Sequence, residues 1–514
     1  MGWEKLSSLL NKLDGVMDHV VEMKHEVGEK FGEYRVYPNS INIFEDSWMF
    51  IARGDAEKSL FVYGKNSYYN DFEGYEIEIE GKKVKICDLS NKNCFIIMRM
   101  FPFTKPVNHR GKKVTLGLGD RLGIASAGHI RLLRNKPVFP ILAQQSIREL
   151  NLTGRTYEDV LCAAAWAVFQ EGYKAGYGAD GDHLKTFEEV EMALRNGFTM
   201  ITLDCSEHIN YKVSEYDAEE IEKKYIEIDE NERAYFESKY VGKPIRLKDD
   251  TIIVSEIGID EFKKIALTYI DAMKYTIYIY NNLIKSCGRK IDFEMSIDET
   301  LTSTTPAAHY FVASELIDAG VDIASLAPRF CGEFQKGIDY IGDIEQFEKE
   351  FAAHVKIAKN FGYKISIHSG SDKFAVFPII GRITGSEYHL KTAGTNWLEA
   401  VRVIAAKNPS LYRKIHKFAL ENLNEAKKYY AISANPANIP DIDNLKDEDL
   451  PILMDKNDSR QILHITYGLI LTALNPNGTY KFKDDILKTL YVYEDEYYLN
   501  LRRHIGRHLE KLGI

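Results

Sequence analysis

The sequence predicts a mixed α/β protein built on a (β/α)8 TIM-like barrel, with an N-terminal α+β domain, a charged helical insertion and a C-terminal helical region. Three observations carry this expectation. From about residue 112, eight short apolar runs alternate with stretches of helical periodicity. Each run ends in a cluster of polar residues. No period of 20–50 residues repeats, so a solenoid or a propeller is not expected.

Residues 1–105 read as the N-terminal domain. Helical spacing covers 3–26, and short β-rich runs follow at 59–63, 75–79 and 94–98. The second of these, Tyr75-Glu76-Ile77-Glu78-Ile79, alternates strictly, as a half-buried strand does. The barrel occupies 106–400, with strands expected at 114–118, 138–142, 173–177, 200–203, 290–296, 323–326, 364–367 and 388–390. Residues 211–265 interrupt it with Glu219-Glu220, Glu222-Lys223-Lys224 and Asp229-Glu230-Asn231-Glu232-Arg233, the pattern of a charged helical excursion. Spacing turns helical again beyond 396. The region 401–514 is expected to be helical, with a proline-containing loop at 436–451.

Of the 514 residues, 45% are apolar and 28% charged, which excludes wholesale disorder. The formal net charge of -10 argues against a nucleic-acid partner, whose phosphates are bound by Lys and Arg. Six cysteines at 87, 94, 162, 205, 287 and 331 form no CxxC pair and read as reduced, buried thiols. The N-terminus has no apolar leader, and the longest apolar run, Leu161 to Phe169, is far too short to span a bilayer. A cytoplasmic protein without a membrane or nucleic-acid partner is expected, acting on a small molecule. A homo-oligomer is compatible with the sequence.

In a barrel, chemistry sits at the C-terminal ends of the strands. The clusters there are Gly119-Asp120-Arg121, Gln144-Gln145-Ser146, Asp180-Gly181-Asp182-His183-Leu184-Lys185, Asp204-Cys205-Ser206-Glu207-His208, Glu294 to Glu299, Pro328-Arg329 with Lys336, His368-Ser369-Gly370-Ser371-Asp372-Lys373 and Lys391-Thr392-Ala393-Gly394-Thr395. Helix capping accounts for Ser206, Thr300 and Thr395. It does not account for His183, His309 and His368 after three different strands, nor for both Asp182 and Glu299. The three histidines are candidate ligands of a divalent cation such as Zn, Mn, Ni or Co. Gly117-Leu118-Gly119-Asp120-Arg121-Leu122-Gly123 approaches a dinucleotide loop, but its last glycine is one residue late and no acid ends the next strand. Asp120 and Arg121 fit a sugar or carboxylate site better, since arginine binds carboxylates in bidentate fashion.

Five strings, Gly119–Gly123, Asp180–Thr186, Thr202–Ile209, Glu294–Thr300 and Lys391–Thr395, resemble the tagaturonate/fructuronate epimerase family, some members of which are described as tagatose 4-epimerases. The resemblance covers roughly 110–470 in the expected order. It implies a metal-dependent epimerase acting on a ketohexuronate or a ketohexose. It pairs a catalytic acid, Asp182, with a metal ligand, His183, makes Glu299 the second acid, and gives the remaining ligands to His309 and His368. Asp298 or Glu294 stands as the alternative to His309. Asp120, Arg121, Gln145, Lys185, Asp204, Arg329, Lys336, Ser369, Asp372 and Lys373 are left to hold the sugar.

The two hexuronates differ at C4, numbered with the ketone at C2. The C4 proton is β to the carbonyl, so its removal gives no enolate. Cleavage and re-formation of the C3–C4 bond is the expected route, with Asp182 and Glu299 handling the hydroxyl proton on opposite faces. A Schiff base on Lys185 or Lys391, a nicotinamide-assisted route and a non-catalytic sugar-binding protein are the alternatives.

Overall fold

The computed structural model of the chain describes residues 2–14, 30–31, 34–298, 300 and 302–514. At its centre eight parallel strands close into a barrel in chain order. They are β1 (Val114–Gly117), β2 (Val138–Gln145), β3 (Gly178–Leu184), β4 (Met200–Asp204), β5 (Asp292–Ile297), β6 (Ile323–Pro328), β7 (Lys364–Ile367) and β8 (Tyr388–Lys391). Closure is direct, with Tyr388 to Lys391 of β8 in register with Val114 to Gly117 of β1. Interior side chains bury one face of each strand and helices bury the other. That is why β2 is buried along its whole length and reads as an apolar run from Val138 to Ala143 before its two glutamines.

One expected strand is displaced. The third lies at Gly178–Leu184, not at 173–177, and Tyr173 and Tyr177 are buried in the turn before it. Its sequence, Gly-Ala-Asp-Gly-Asp-His-Leu, has two glycines and two acids, a composition that local propensity assigns to a loop. Tertiary context overrides this, because a buried lysine from β8 neutralises the acids.

The N-terminal domain is a seven-stranded antiparallel sheet. Strand Ser47–Arg53 alternates between two cores. Trp48, Phe50 and Ala52 pack with Leu6, Leu9 and Leu10 of helix Gly2–Asp14, whereas Met49 and Ile51 join the barrel core. The remainder of the helix expected over 3–26 lies outside the described residues. The run at 94–98 is not a strand but part of helix Asn91–Met100. Ser90 caps that helix by accepting from the Asn93 amide, and a short run buried on most sides carries no period to distinguish the two structures.

The insertion holds helices Ala218–Tyr225 and Glu230–Tyr240, a small ribbon pairing Ile245–Arg246 with Ile252–Val254, and the long helix Ile259–Ile279. The C-terminal region is helical, and its proline-containing segment forms short 3-10 turns. Helix Asn457–Ile465 comes back to the barrel, where Arg460 hydrogen-bonds the Gly337 carbonyl and pairs with Asp372. Helix Glu494–Lys511 reaches the N-terminal sheet. Tyr37 and Tyr498 each donate to Glu494 at 2.6 Å, and Lys58 pairs with the same carboxylate. All six cysteines are free and five are buried. Among the described residues, no helix is long and apolar enough to cross a membrane.

Candidate active site

A cavity of about 370 Å³ opens at the C-terminal ends of the barrel strands. Its floor is built by β3, β5, β7 and β8. Adjacent residues of a strand point to opposite faces, yet Asp182 and His183 both line this cavity. The reason is local. His183 has a positive φ of 52°, and the register of β3 against β4 shifts between Gly181 and Leu184, so the alternation breaks at that point. Gly181 must lack a side chain there, because a Cβ would meet Ala193 and Leu184 at 2.9 Å.

Beneath the cavity lies a dense group of charges. The Lys391 ammonium stands 2.7 Å from Asp182, 3.0 Å from Asp180 and 3.1 Å from Glu294, and it also donates to Thr202. Burial alone would favour the neutral amine, but these three carboxylates outweigh it and hold Lys391 charged. The reciprocal effect falls on Asp182. Burial pushes its carboxyl up, while Lys391, then His183 and His368, pull it well below the usual range. Gln144 adds a hydrogen bond to Asp182 Oδ2 at 3.2 Å. Asp180 goes the other way, to about 6, because burial and its like-charged neighbours exceed the lysine's pull.

His183, Asp298 and His368 bring one donor atom each within 4.8 Å of one another. His368 Nδ1 lies 3.0 Å from Asp298, and its Nε2 lies 2.7 Å from Glu294. A carboxylate on the far nitrogen of an imidazole is the usual support for a metal-binding histidine. His183 has a comparable neighbour in Asp204 at 3.7 Å. Two imidazoles and a carboxylate, in a group richer in acids than in cations, suit a divalent transition-metal ion.

His309 is not brought to this group, so the expected ligand set is corrected to that extent. It sits in helix Pro306–Asp318, buried in the helix layer, with Nδ1 2.9 Å from His354 Nδ1 and Nε2 2.7 Å from the Tyr363 hydroxyl. Burial and the neighbouring His354 hold it neutral. The third donor is Asp298, which follows β5. Glu299 lies outside the described residues. A second His and carboxylate group, Asp372 with His504 and His508, is engaged in contacts of its own. Asp372 pairs with Arg460 at 2.8 Å and His504 at 3.0 Å, while His508 donates to the His504 carbonyl and accepts from the Asp372 amide.

Of the residues expected to hold the sugar, Arg121, Arg329, Lys336 and Ser369 line the cavity. The others have different work. Asp120 accepts from the backbone amides of Leu122, Gly123, Ala125 and Ser126, which fixes the loop after β1 and occupies the amides a pyrophosphate would need. Gln145 faces away and donates to the Asp120 carbonyl, leaving its neighbour Gln144 to face inward. Lys185 bonds Ser206 beside Asp204, and Asp204 lies behind His183. Asp372 is held by Arg460, and Lys373 donates to the carbonyls of Gln335, Ile338 and Ser371. The sequence reading gave no role to Arg148, Tyr430 or His464, all of which line the cavity. The last two come from the C-terminal region, where no strand-end rule applies.

Comparison with known proteins agrees with this architecture. The tagaturonate epimerase family matches over residues 37–512. The Thermotoga maritima tagaturonate/fructuronate epimerase is 40% identical over 486 residues, 94% of this chain and 98% of that protein. Crystal structures of fructuronate-tagaturonate epimerase UxaE from Cohnella laeviribosi superpose with TM-scores of 0.91. The one with one glycerol bound is 48% identical and covers 99% of both chains, and the native one is 50% identical, covering 94% of this chain and 97% of that one.

Proposed function

The chain belongs to the tagaturonate epimerase family, and from that premise we propose that it interconverts D-tagaturonate and D-fructuronate by inverting C4 through a metal-dependent retro-aldol and aldol sequence. The observation that carries this reading is the convergence, in one cavity, of the donors His183, Asp298 and His368 with a carboxylate, Asp182, kept ionised by Lys391. His183, Asp298 and His368 would hold a divalent cation, which would supply Lewis acidity to the ketone.

The protein's own groups move the proton. An Asp182 carboxylate oxygen takes the proton of the C4 hydroxyl. As the C4–O bond becomes a carbonyl, the C3–C4 bond breaks and its electron pair passes to C3 and the C2 carbonyl, giving an enediolate and an aldehyde. Rotation of the aldehyde presents its other face, C3 re-forms the bond there, and the new alkoxide is reprotonated. The steps are redox-neutral, so atoms and electrons balance without a nicotinamide. Glu299 is assigned the proton on the second face. Lys391 is an ammonium shared by three carboxylates, which disfavours a Schiff base on it. Arg121, Arg148, Arg329 and Lys336 around the mouth favour a sugar acid over a neutral ketohexose.

The test is conversion of D-tagaturonate to D-fructuronate by the purified protein, followed by chromatography before and after EDTA, with Mn²⁺, Zn²⁺, Ni²⁺ or Co²⁺ restored. Turnover lost on chelation and regained with metal supports the reading. Turnover indifferent to chelation defeats the metal route. Conversion of tagatose but not of tagaturonate changes the substrate to the neutral sugar.

A further inference from the structure

We propose that His464, together with Arg121 and Lys336, forms the anion end of the cavity and receives the carboxylate of the substrate, so that the C-terminal region sets the preference for a hexuronate over the neutral ketohexose. The inference rests on the hexuronate reading above and adds to it the residues that enforce the choice.

His464 is 1% exposed, lines the cavity, and has no hydrogen-bond partner on either ring nitrogen. An orphaned buried polar group is unfavourable unless a ligand satisfies it. The ring is held in place by two close backbones. A Cβ on Gly394 would fall 2.1 Å from His464 Cε1, and one on Gly337 would fall 3.4 Å from its Nδ1. Arg121 is fixed in the same manner and left incomplete. Its Nε binds Glu149 at 2.9 Å, its guanidinium lies 3.7 Å from the centroid of the Tyr467 ring, and its Nη1 has no partner. Lys336, whose charge also acts on His464, reaches Ser369 Oγ at 2.7 Å.

These groups surround one region of like sign. Burial and then the charges of Arg121, Lys336 and Arg460 hold His464 neutral, with only Asp372 opposing. A carboxylate entering there meets two cations and an imidazole N–H at once, and it completes the two side chains left unsatisfied. The position also fits the chemistry. Arg121 follows β1, which lies across the eight-stranded barrel from β5 and the Asp298 end of the donor group. A six-carbon chain with its ketone at the donor group therefore points its far end toward Arg121.

The test compares wild type with His464→Gln and Lys336→Met on D-tagaturonate and on D-tagatose. The expected result is a fall of at least tenfold in the ratio of kcat/KM for the acid to that for the neutral sugar, carried by a higher KM for the acid. Equal losses on both sugars, or an unchanged ratio, overturn the proposal. Lys336 is at the partly exposed rim, so its variant remains informative should the His464 variant fold poorly. Absence of turnover of tagaturonate by wild type would defeat the hexuronate reading instead. The subsite is then read by calorimetry with D-gluconate. Binding weakened tenfold in the variants sustains it, and unaltered binding or none to wild type overturns it.

Discussion

Replacing Lys391 by methionine removes the single ammonium that Asp180, Asp182 and Glu294 share. With an effective dielectric near 20, a charge pair at about 3 Å is worth roughly 5 kcal/mol before desolvation is counted. Desolvation offsets much of that, and removing one partner of a buried pair costs about 3–5 kcal/mol net. Against a total stability of about 5–15 kcal/mol, the variant is expected to fold with a lowered melting temperature. The larger effect is on proton transfer. Asp182 is held below the usual carboxylate range chiefly because Lys391 and two histidines outweigh its burial. Without the lysine, burial and the neighbouring acids dominate, and the carboxyl rises toward neutrality. An ionised base is then scarce at pH 7. The acid limb of kcat/KM should move up into the window from pH 5 to 9, and activity at pH 7 should fall by about 10–10². The assay is tagaturonate conversion from pH 5 to 9, with the melting temperature checked in parallel. A folded Lys391→Met protein with near wild-type activity and an unmoved acid limb would show that Lys391 does not keep Asp182 ionised.

Three further outcomes are expected. His183→Ala, His368→Ala and Asp298→Asn should each lower the metal content read by elemental analysis, whereas His309→Gln should bind metal as wild type does, since His309 is engaged with His354 and Tyr363; loss of metal in His309→Gln would return it to the ligand set. Burial raises the Glu494 carboxyl, but Lys58, Tyr37 and Tyr498 bring it down from 4.5 to about 2, so its ionised form stabilises the fold fully above about pH 4.5 and the contribution disappears as pH falls through 2. At about 1.4 kcal/mol per pH unit, Glu494→Gln should lose about 3 kcal/mol at pH 7, with the gap in melting temperature closing on acidification; a gap constant from pH 7 to pH 2.5 would contradict this. Gly394→Ala should cut kcat/KM at least tenfold with little change in metal content, because a Cβ there collides with His464; wild-type kinetics would show that the ring has room to move.

The barrel was legible because its strands are buried on both faces and therefore stand out as apolar runs between polar clusters. β3 was not, because its stability comes from a lysine some two hundred residues away and not from its own propensities. The same distance hid much of the site. Asp182, His183 and His368 were visible at strand ends, where chemistry is expected. His309 stood out by the same rule but belongs to a helix whose buried face needed a polar partner for Tyr363. Gln144 and Gln145 are indistinguishable in sequence, and only the pleat of β2 decides which faces inward. Arg148 and His464 lie on helices, where a polar residue in an apolar stripe has no single meaning until the packing is known.

A cavity whose walls include Arg121 at one extreme of the barrel and His464 near the far end of the chain cannot be finished until both have been made and docked. Contacts of such long sequence separation form slowly, since the closure entropy of the intervening chain must be met before they are gained. During synthesis the barrel emerges before the C-terminal region, with its charged floor already written and its mouth uncovered. On refolding, helical signal should therefore return before catalysis does, and the lag between them measures how long the last wall takes to arrive.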